Sequence, residues 1–291
     1  MTATFTRELL ARPISRAIRP RAGVIPAVVI SLFVLVAVFG PLFIDYNPVF
    51  TSVGDRLLPP GSVSADGELR PLGTDGLGRD MLSQLVYGAR TSLIVGVSVV
   101  GISGIVGVVL GTIAGYFTGW ADITISRLID VLLAFPGVLL AIVIAGLFDK
   151  GMLVVVLALS AAGWIGFARL SRGLTLSLRE RPWVDAARLG AVPTPLLLGR
   201  HIVPFVIGPV AALATTEFAG AILAEAALSF LGLGLPSTSV SWGQTISIGR
   251  SYLATAWWIS AFPGIALTVL VVSAGLLGDR LTARLGGSTH E

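Results

Sequence analysis

The sequence predicts an all-α membrane protein with six transmembrane helices, on three observations. Hydrophobic residues make up 54% of the 291 residues and charged residues only 12%, about half the charged share of a typical soluble domain. The mean hydropathy is +0.90. Six apolar runs are long enough to cross a hydrocarbon core of about 30 Å, which takes about 20 helical residues. A soluble enzyme, a nucleic-acid-binding protein and a disordered chain are therefore disfavoured.

The six runs divide the chain into an arm, a first span, an external loop, a core and a tail. The predicted spans are residues 24–44, 92–117, 128–148, 152–168, 205–235 and 257–277. The arm is 1–23, the external loop 45–91, the core with the last five spans 92–279 and the tail 280–291. The first run is longer than the apolar region of a secretory signal peptide, and no small-x-small cleavage site follows it, so we expect a retained span.

The basic residues predict the orientation. If both termini lie on one side of the membrane, that side holds fourteen of the twenty basic residues. Cytoplasmic loops are enriched in Arg and Lys, so both termini are expected in the cytoplasm. The same side carries the loop 170–204. A loop of that length is uncommon unless it has a function, so it is the first functional candidate.

Two features concern helix packing. Gly107, Gly111 and Gly115 recur at every fourth position of the second span, which puts a smooth stripe on one helix face and lets another backbone approach closely. The partner could be another span of the same chain or a second subunit. Pro136 and Pro263, each followed by Gly, should kink the third and sixth spans. Both belong to an Ala-Phe-Pro-Gly tetrapeptide, a weak sign of an inverted repeat.

Three carboxylates fall inside or beside apolar runs: Asp130, Glu217 and Glu225. A carboxylate at membrane depth is costly and should face a cavity, a partner group or the interface. Asp130 lies three residues after Arg127 and is expected to form a local ion pair. Glu217 and Glu225 share a broad helix face. They could line a polar conduit, or be neutralised in a buried hydrogen bond between subunits.

The sequence lacks the motifs of a self-contained enzyme. The single lysine, Lys150, does not belong to a Gly-Lys-Ser/Thr phosphate-binding loop. There is no cysteine, and the two histidines, His201 and His290, fall in predicted cytoplasmic segments. A thiolate site, an intramembrane Ser–His dyad and a histidine metal site are therefore not expected. No cofactor is expected on this chain.

The inner loop predicts a short projecting helix. Pro182 suits its first turn, Asp185 complements the positive end of the helix dipole, and Gly190 suits its end. Ala186 and Ala187 are small, so a partner surface could come close. Pro193 and Pro195 should then break the chain before a second short segment, 196–203. The helix could dock on a partner or lie on the membrane surface.

This loop resembles the coupling loop of ABC importer permeases. In that family an acidic residue and two alanines are followed by a glycine and, later, by a hydrophobic-Pro ending. The matching residues, which the resemblance assigns to ATPase coupling, are Asp185, Ala186, Ala187, Arg188, Gly190, His201 and Pro204. Here the acid is Asp rather than Glu. The glycine comes one position early, so Ala191 occupies the usual glycine position.

Other segments resemble the second permease subunit of dipeptide and oligopeptide importers. In chain order they are residues 71–80, 87–93, 115–122, 225–234 and 241–243. The resemblance covers about residues 70 to 280 and leaves out the arm and the end of the tail. It implies the type I ABC importer permease fold, in a bacterial plasma membrane.

The resemblance also implies the mechanism and the partners. A homologous second permease would complete the pathway, and two cytoplasmic ATP-binding subunits would hold ATP and Mg. An external substrate-binding protein would deliver a peptide, with lipid around the spans and no nucleic acid. The alternative is a self-sufficient secondary transporter or channel, for which the intramembrane carboxylates and the weak repeat would be the basis.

Overall fold

The computed structural model describes residues 24–44, 46–49, 51–236 and 238–287. Five of its helices are long and apolar enough to cross a membrane, and a bent helix pair supplies a sixth crossing if it is counted as one span. The five long helices are α1 (Val24–Phe43), α2 (Met81–Phe117), α5 (Met152–Arg179), α8 (Val203–Phe230) and α10 (Trp258–Gly287). The arm and the last four residues of the tail lie outside the described residues.

The second span is longer than predicted. The external loop was expected to reach residue 91, but α2 begins at Met81 and runs for 37 residues. Asp80 caps it, because one carboxylate oxygen accepts from the Ser83 N–H at 2.7 Å and from the Ser83 hydroxyl at 2.6 Å. The polar residues Ser83 and Gln84 fall within the predicted loop. They are buried, because they face other polar groups of the chain rather than water.

The third span is broken at the predicted proline. Helix α3 (Gly119–Leu133) and helix α4 (Gly137–Leu147) meet at an angle of 82°, and Pro136 precedes the first turn of α4. The second Ala-Phe-Pro-Gly copy behaves differently, because Pro263 lies inside the continuous helix α10. The two copies therefore have different structures and give no support to an inverted repeat.

The glycine stripe packs inside the chain, against α5. A Cβ atom at Gly107 would lie 2.5 Å from the Trp164 carbonyl oxygen, and one at Gly115 would lie 2.6 Å from the Arg172 carbonyl oxygen. A Cβ at Gly111 would meet the Ala168 carbonyl group. The backbones of α2 and α5 thus approach closely over about two helical turns, as small residues allow between membrane helices.

The fifth span begins earlier than predicted. Helix α7 (Thr194–Leu197) leads through a π-helical turn, Leu198–Ile202, directly into α8, whereas the segment was expected to end at Pro204. The Val203 N–H donates to the Leu198 carbonyl, five residues back. Pro204 has no backbone N–H to donate. The wider π-helical turn before it accommodates the missing hydrogen bond, so the helix continues. The inner loop and the span are therefore joined without a break.

The outer side carries two further elements. A short hairpin pairs β1 (Ser62–Val63) with β2 (Leu69–Arg70) in antiparallel register. The stretch 236–256, which joins the last two spans, contains helix α9 (Trp242–Gly249) and a 3₁₀ turn, Arg250–Tyr252. Helix α9 is close to α8, since a Cβ at Gly243 would meet the Ala226 carbonyl group. It has eight residues, too few to cross a membrane, and it packs against α2, α8 and α10.

Candidate functional site

The inner loop contains the predicted short helix. Helix α6 (Pro182–Leu189) has eight residues, with Pro182 in its first turn and Gly190 as its C-terminal cap. It follows directly on α5, which extends well beyond its predicted end at residue 168 and ends at Arg179. The loop therefore consists of short helical pieces between α5 and α8. The ends of these two helices fix the position of α6.

One face of α6 is fixed to the spans. Val184 is fully buried, and the Trp183 ring packs on the Phe205 ring of α8 with their centroids 5.9 Å apart. The Arg188 guanidinium lies over the Tyr116 ring at 5.1 Å, and its Nε donates to the Tyr116 hydroxyl at 3.3 Å. Tyr116 and then Asp185 raise the pKa of Arg188. Helix α6 is thus anchored to the ends of both α2 and α8.

The opposite face of α6 is free. Ala186 is exposed and Ala187 half-buried, and the Leu189 side chain is 89% exposed. Ala186 and Leu189 are three residues apart and so lie on one helix face. Sequence reasoning missed Leu189. Its position opposite the apolar Val184 would have indicated a second apolar surface, available to a partner.

The end of α6 is a Schellman turn centred on Ala191. The Ala191 N–H donates to the Arg188 carbonyl at 3.0 Å, and the Val192 N–H donates to the Ala187 carbonyl at 3.1 Å. Gly190 has an ordinary φ of −71°, whereas Ala191 has a φ of +56°. The left-handed residue is therefore at position 191, where the resembled family has its glycine, and Gly190 does not replace it.

This turn gives a first prediction, for Ala191→Gly. Alanine is strained in the left-handed region and glycine is not, so we expect the variant to be more stable by about 0.5–1 kcal/mol. Thermal unfolding in detergent measures the effect. Gly190→Ala is the matched control and should be neutral or slightly stabilising, since position 190 has an ordinary φ and a Cβ there would lie 3.4 Å from the nearest atom. A stable Gly190→Ala variant beside an unchanged Ala191→Gly variant would contradict the strain at position 191.

The remaining residues assigned to the loop lie at its other end. His201 belongs to the π-helical turn and Pro204 to the first turn of α8. His201 is half-buried, and its Nδ1 is buried without a hydrogen-bond partner in the part of the chain that the structure describes. These two residues shape the connection into α8, whereas Asp185 to Gly190 form the projecting helix.

A cavity of about 320 Å³ lies between the spans. Residues of α2, α4, α5 and α8 line it, and Glu217 is the only charged residue among them. The Ser103 hydroxyl also borders it. Glu217 is half-buried. Glu217 therefore borders a cavity whose lining is otherwise apolar except for this hydroxyl.

Glu225 has a different environment from Glu217. It is fully buried and does not line the cavity. One carboxylate oxygen accepts from the Ser229 hydroxyl and from the Ser241 hydroxyl, each at 2.7 Å. The alternative of a buried hydrogen bond thus describes Glu225, although both donors belong to the same chain rather than to a second subunit.

The expected ion pair of Asp130 does not form. Asp130 and Arg127 are both exposed, and the salt bridges among the described residues do not include them. Asp122 pairs instead with Arg172 of α5, with the carboxylate oxygen Oδ2 and the guanidinium Nη2 2.7 Å apart. This pair joins α3 to α5. Its partners are fifty residues apart, so local spacing could not reveal it.

The described residues between α1 and α2, which we call the outer segment, hold a second cavity, of about 260 Å³. Tyr46, Asp55, Arg70 and Asp80 are among the residues that line it. Burial raises the pKa of Tyr46 to about 12. The Ala65 N–H and then the Ser52 hydroxyl lower the pKa of Asp55 below its usual range. The outer segment is therefore a folded, polar structure rather than an open loop.

Comparison with known proteins gives consistent matches. The model of a family described as "Binding-protein-dependent transport system inner membrane component" matches residues 107–287. A putative peptide transport system permease protein of Brucella suis is 40% identical over 266 residues, which cover 91% of this chain and 88% of that protein. The di/tripeptide transport system permease protein of Pseudomonas aeruginosa is 38% identical, covering 86% and 82%.

A third relative and a solved structure extend these matches. The oligopeptide transport system permease protein of Haemophilus influenzae is 33% identical, covering 91% of this chain and 84% of that protein. A chain of the MetNI methionine ABC transporter in an inward-facing conformation has a TM-score of 0.56 and 17% sequence identity. The match covers 70% of this chain and 97% of that chain, and it concerns the fold.

Proposed function

The chain belongs to the family of binding-protein-dependent transport system inner membrane components, and from that premise we propose that its transported substrate is a peptide. It is a permease subunit of an ABC importer and not an enzyme. Relatives named for peptide, di/tripeptide and oligopeptide transport match most of its length. Identity of up to 40% over nine-tenths of the chain supports a related substrate class.

The exposed face of α6 carries the proposal on mechanism. Helix α6 is the coupling helix, and the surface formed by Ala186 and Leu189 docks on a cytoplasmic ATP-binding subunit. Two such subunits bind ATP and Mg, a second permease completes the pathway, and an external protein delivers the peptide. The anchoring of Trp183 and Val184 to the spans supports this role, because a docked helix transmits motion only if it is fixed at its base.

The cellular placement follows from the same features. We place the chain in a bacterial plasma (inner) membrane, with both termini in the cytoplasm. The bias of arginine towards the side of loop 170–204 supports this orientation. It also puts α6 where ATP is available, and it puts the hairpin and α9 outside, where a substrate-binding protein would dock.

Affinity purification from the native membrane tests the proposal. We expect a second six-span chain and ATP-hydrolysing subunits to co-purify, and the reconstituted complex to import labelled di- and oligopeptides with ATP and the binding protein. Uptake by the isolated chain under an ion gradient, without ATPases, would instead establish the secondary transporter. Uptake of another substrate class by an assembled complex would overturn only the peptide assignment.

The two glutamates of α8 give a second prediction. Glu217 faces the cavity, so its charge contributes to the potential that a passing peptide meets. Glu217→Gln should lower the uptake rate about threefold to tenfold, equivalent to about 0.7–1.4 kcal/mol, with unchanged amounts of assembled complex. Glu225→Gln is the matched control, because a glutamine carbonyl still accepts from Ser229 and Ser241. Uptake assays in vesicles compare them, and a larger loss for Glu225→Gln than for Glu217→Gln would refute the assignment.

A further inference from the structure

Three sequence segments that the coupling helix leaves unexplained meet in one buried set of hydrogen bonds. They are residues 71–80, 225–234 and 241–243, and the first lies far from the other two in the chain. We call this set the outer network. Its members are Asp75, Arg79, Gln84, Glu225, Ser229, Ser241 and Thr245. Apart from Arg79, each is at most 5% exposed.

The network begins in the outer segment at Asp75. One carboxylate oxygen of Asp75 accepts from the backbone N–H groups of Leu77 and Arg79, at 2.8 and 2.9 Å. The other oxygen accepts from the Arg79 Nε at 2.7 Å and from the Gln84 Nε2 at 2.9 Å. A carboxylate fully used in this way fixes the outer segment to the first turn of α2.

Gln84 links Asp75 to α9 through hydrogen bonds at the two ends of its amide group. An ionised carboxylate only accepts hydrogen bonds, so the Gln84 amide must direct its NH₂ group to Asp75 and its oxygen the other way. That oxygen lies 3.2 Å from the Thr245 hydroxyl of α9. The Thr245 hydroxyl also lies 3.1 Å from the Ser241 carbonyl, and its single proton serves one acceptor at a time. The Thr245 hydroxyl can therefore switch its donated hydrogen bond between the Gln84 oxygen and the Ser241 carbonyl.

From α9 the network reaches α8. The Ser241 hydroxyl caps α9, since it accepts from the Gly243 N–H, and it donates to Glu225 of α8. The Trp242 Nε1 donates to the Leu85 carbonyl at 3.0 Å and supports the same junction. Helix α8 continues through the π-helical turn and α7 to the loop that carries α6. The outer segment and the coupling helix are thus the two ends of one connected structure.

We infer that Gln84 and Thr245 are positioning residues for transport, which act through α9 on α8. Their hydrogen bond sets how a movement of the outer segment, on docking of the substrate-binding protein, reaches the span that leads to α6. This inference rests on the proposed function. If the network served stability alone, an assembled complex without the Thr245 hydrogen bond would still respond normally to the binding protein.

The test uses the complete importer in vesicles, with its second permease, its ATPases and its binding protein. Thr245→Val keeps the side-chain shape and removes the hydroxyl, which leaves the buried Gln84 oxygen unpaired. We expect the stimulation of ATP hydrolysis by the loaded binding protein to fall about threefold to tenfold, with an unchanged basal rate. Thr245→Ser should restore stimulation. Thr268→Val is the matched control, because the Thr268 hydroxyl bonds only to its own helix at Gly264.

Each outcome decides the inference. Full stimulation in Thr245→Val would overturn it. So would equal losses of stimulation in Thr245→Val and Thr245→Ser, or a loss in Thr268→Val as large as that in Thr245→Val. If Thr245→Val fails to assemble, Gln84→Asn replaces it, since the shorter amide cannot reach both Asp75 and Thr245, and the same selective loss is expected. A wild-type complex that lacks stimulation altogether would contradict the proposed function instead.

Discussion

Ala186→Asp is expected to abolish coupled transport while leaving the chain folded. Ala186 is exposed on the free face of α6, and its carbonyl bond to the Gly190 N–H belongs to the backbone. An added carboxylate would therefore disturb no internal contact of α6. In the docked state the same carboxylate would be buried against the ATPase without a designed partner, which costs about 2–4 kcal/mol. That corresponds to a loss of about thirtyfold to a thousandfold in the coupled rate.

The measurement compares ATP-driven uptake and binding-protein-stimulated ATP hydrolysis in vesicles. Ser177→Asp is the matched control. Ser177 is an exposed residue on the extension of α5, so it adds the same charge outside α6, and normal uptake is expected. Normal uptake by Ala186→Asp would show that α6 does not dock through this face. Equal losses in both variants would point to the added charge rather than to its position.

Local patterns sufficed to predict the number of apolar spans and the existence of the short helix α6. The length of an apolar run decides whether a helix can cross the membrane, and Pro182 and Gly190 mark the ends of α6 through backbone preferences that act within a few residues. The break at Pro136 is local in the same sense. The predicted start of the second span, which depends on distant contacts, was wrong: Gln84 was assigned to a loop although it lies in α2 and bonds to Thr245 of α9.

Partners far apart in the sequence were beyond such patterns. The pair Asp122–Arg172, the bond Gln84–Thr245 and the bond from Ser241 to Glu225 all join residues on different elements. The hydropathy of the sequence does not distinguish Glu217 from Glu225, because it gives no information on the direction in which each side chain points. The eight-residue spacing turns the helix by about 80° beyond two full turns, which is enough to place one glutamate at a cavity and the other in the outer network.

The stripe on α2 gives the largest expected effect on assembly, for Gly111→Leu. A Cβ at Gly111 would meet the carbonyl group of Ala168, and backbone atoms cannot turn aside as a flexible side chain can. The two helices would have to separate along their shared face, which also contains Gly107 and Gly115. Overpacking alone costs about 1–3 kcal/mol, and the lost contacts of the buried face add to it. We expect little folded protein in the membrane.

Gly104→Leu is the matched control and separates the two interpretations of the stripe. Gly104 is on the same helix, but a Cβ there would have nothing within 4 Å. A leucine can therefore extend into lipid, and we expect wild-type amounts of folded chain and of complex with the second permease. The readout is the yield of folded chain and, separately, of paired permeases after mild detergent extraction. A folded Gly111→Leu chain that fails only to pair would show that the stripe contacts the second subunit, against the close approach of α2 and α5 described above.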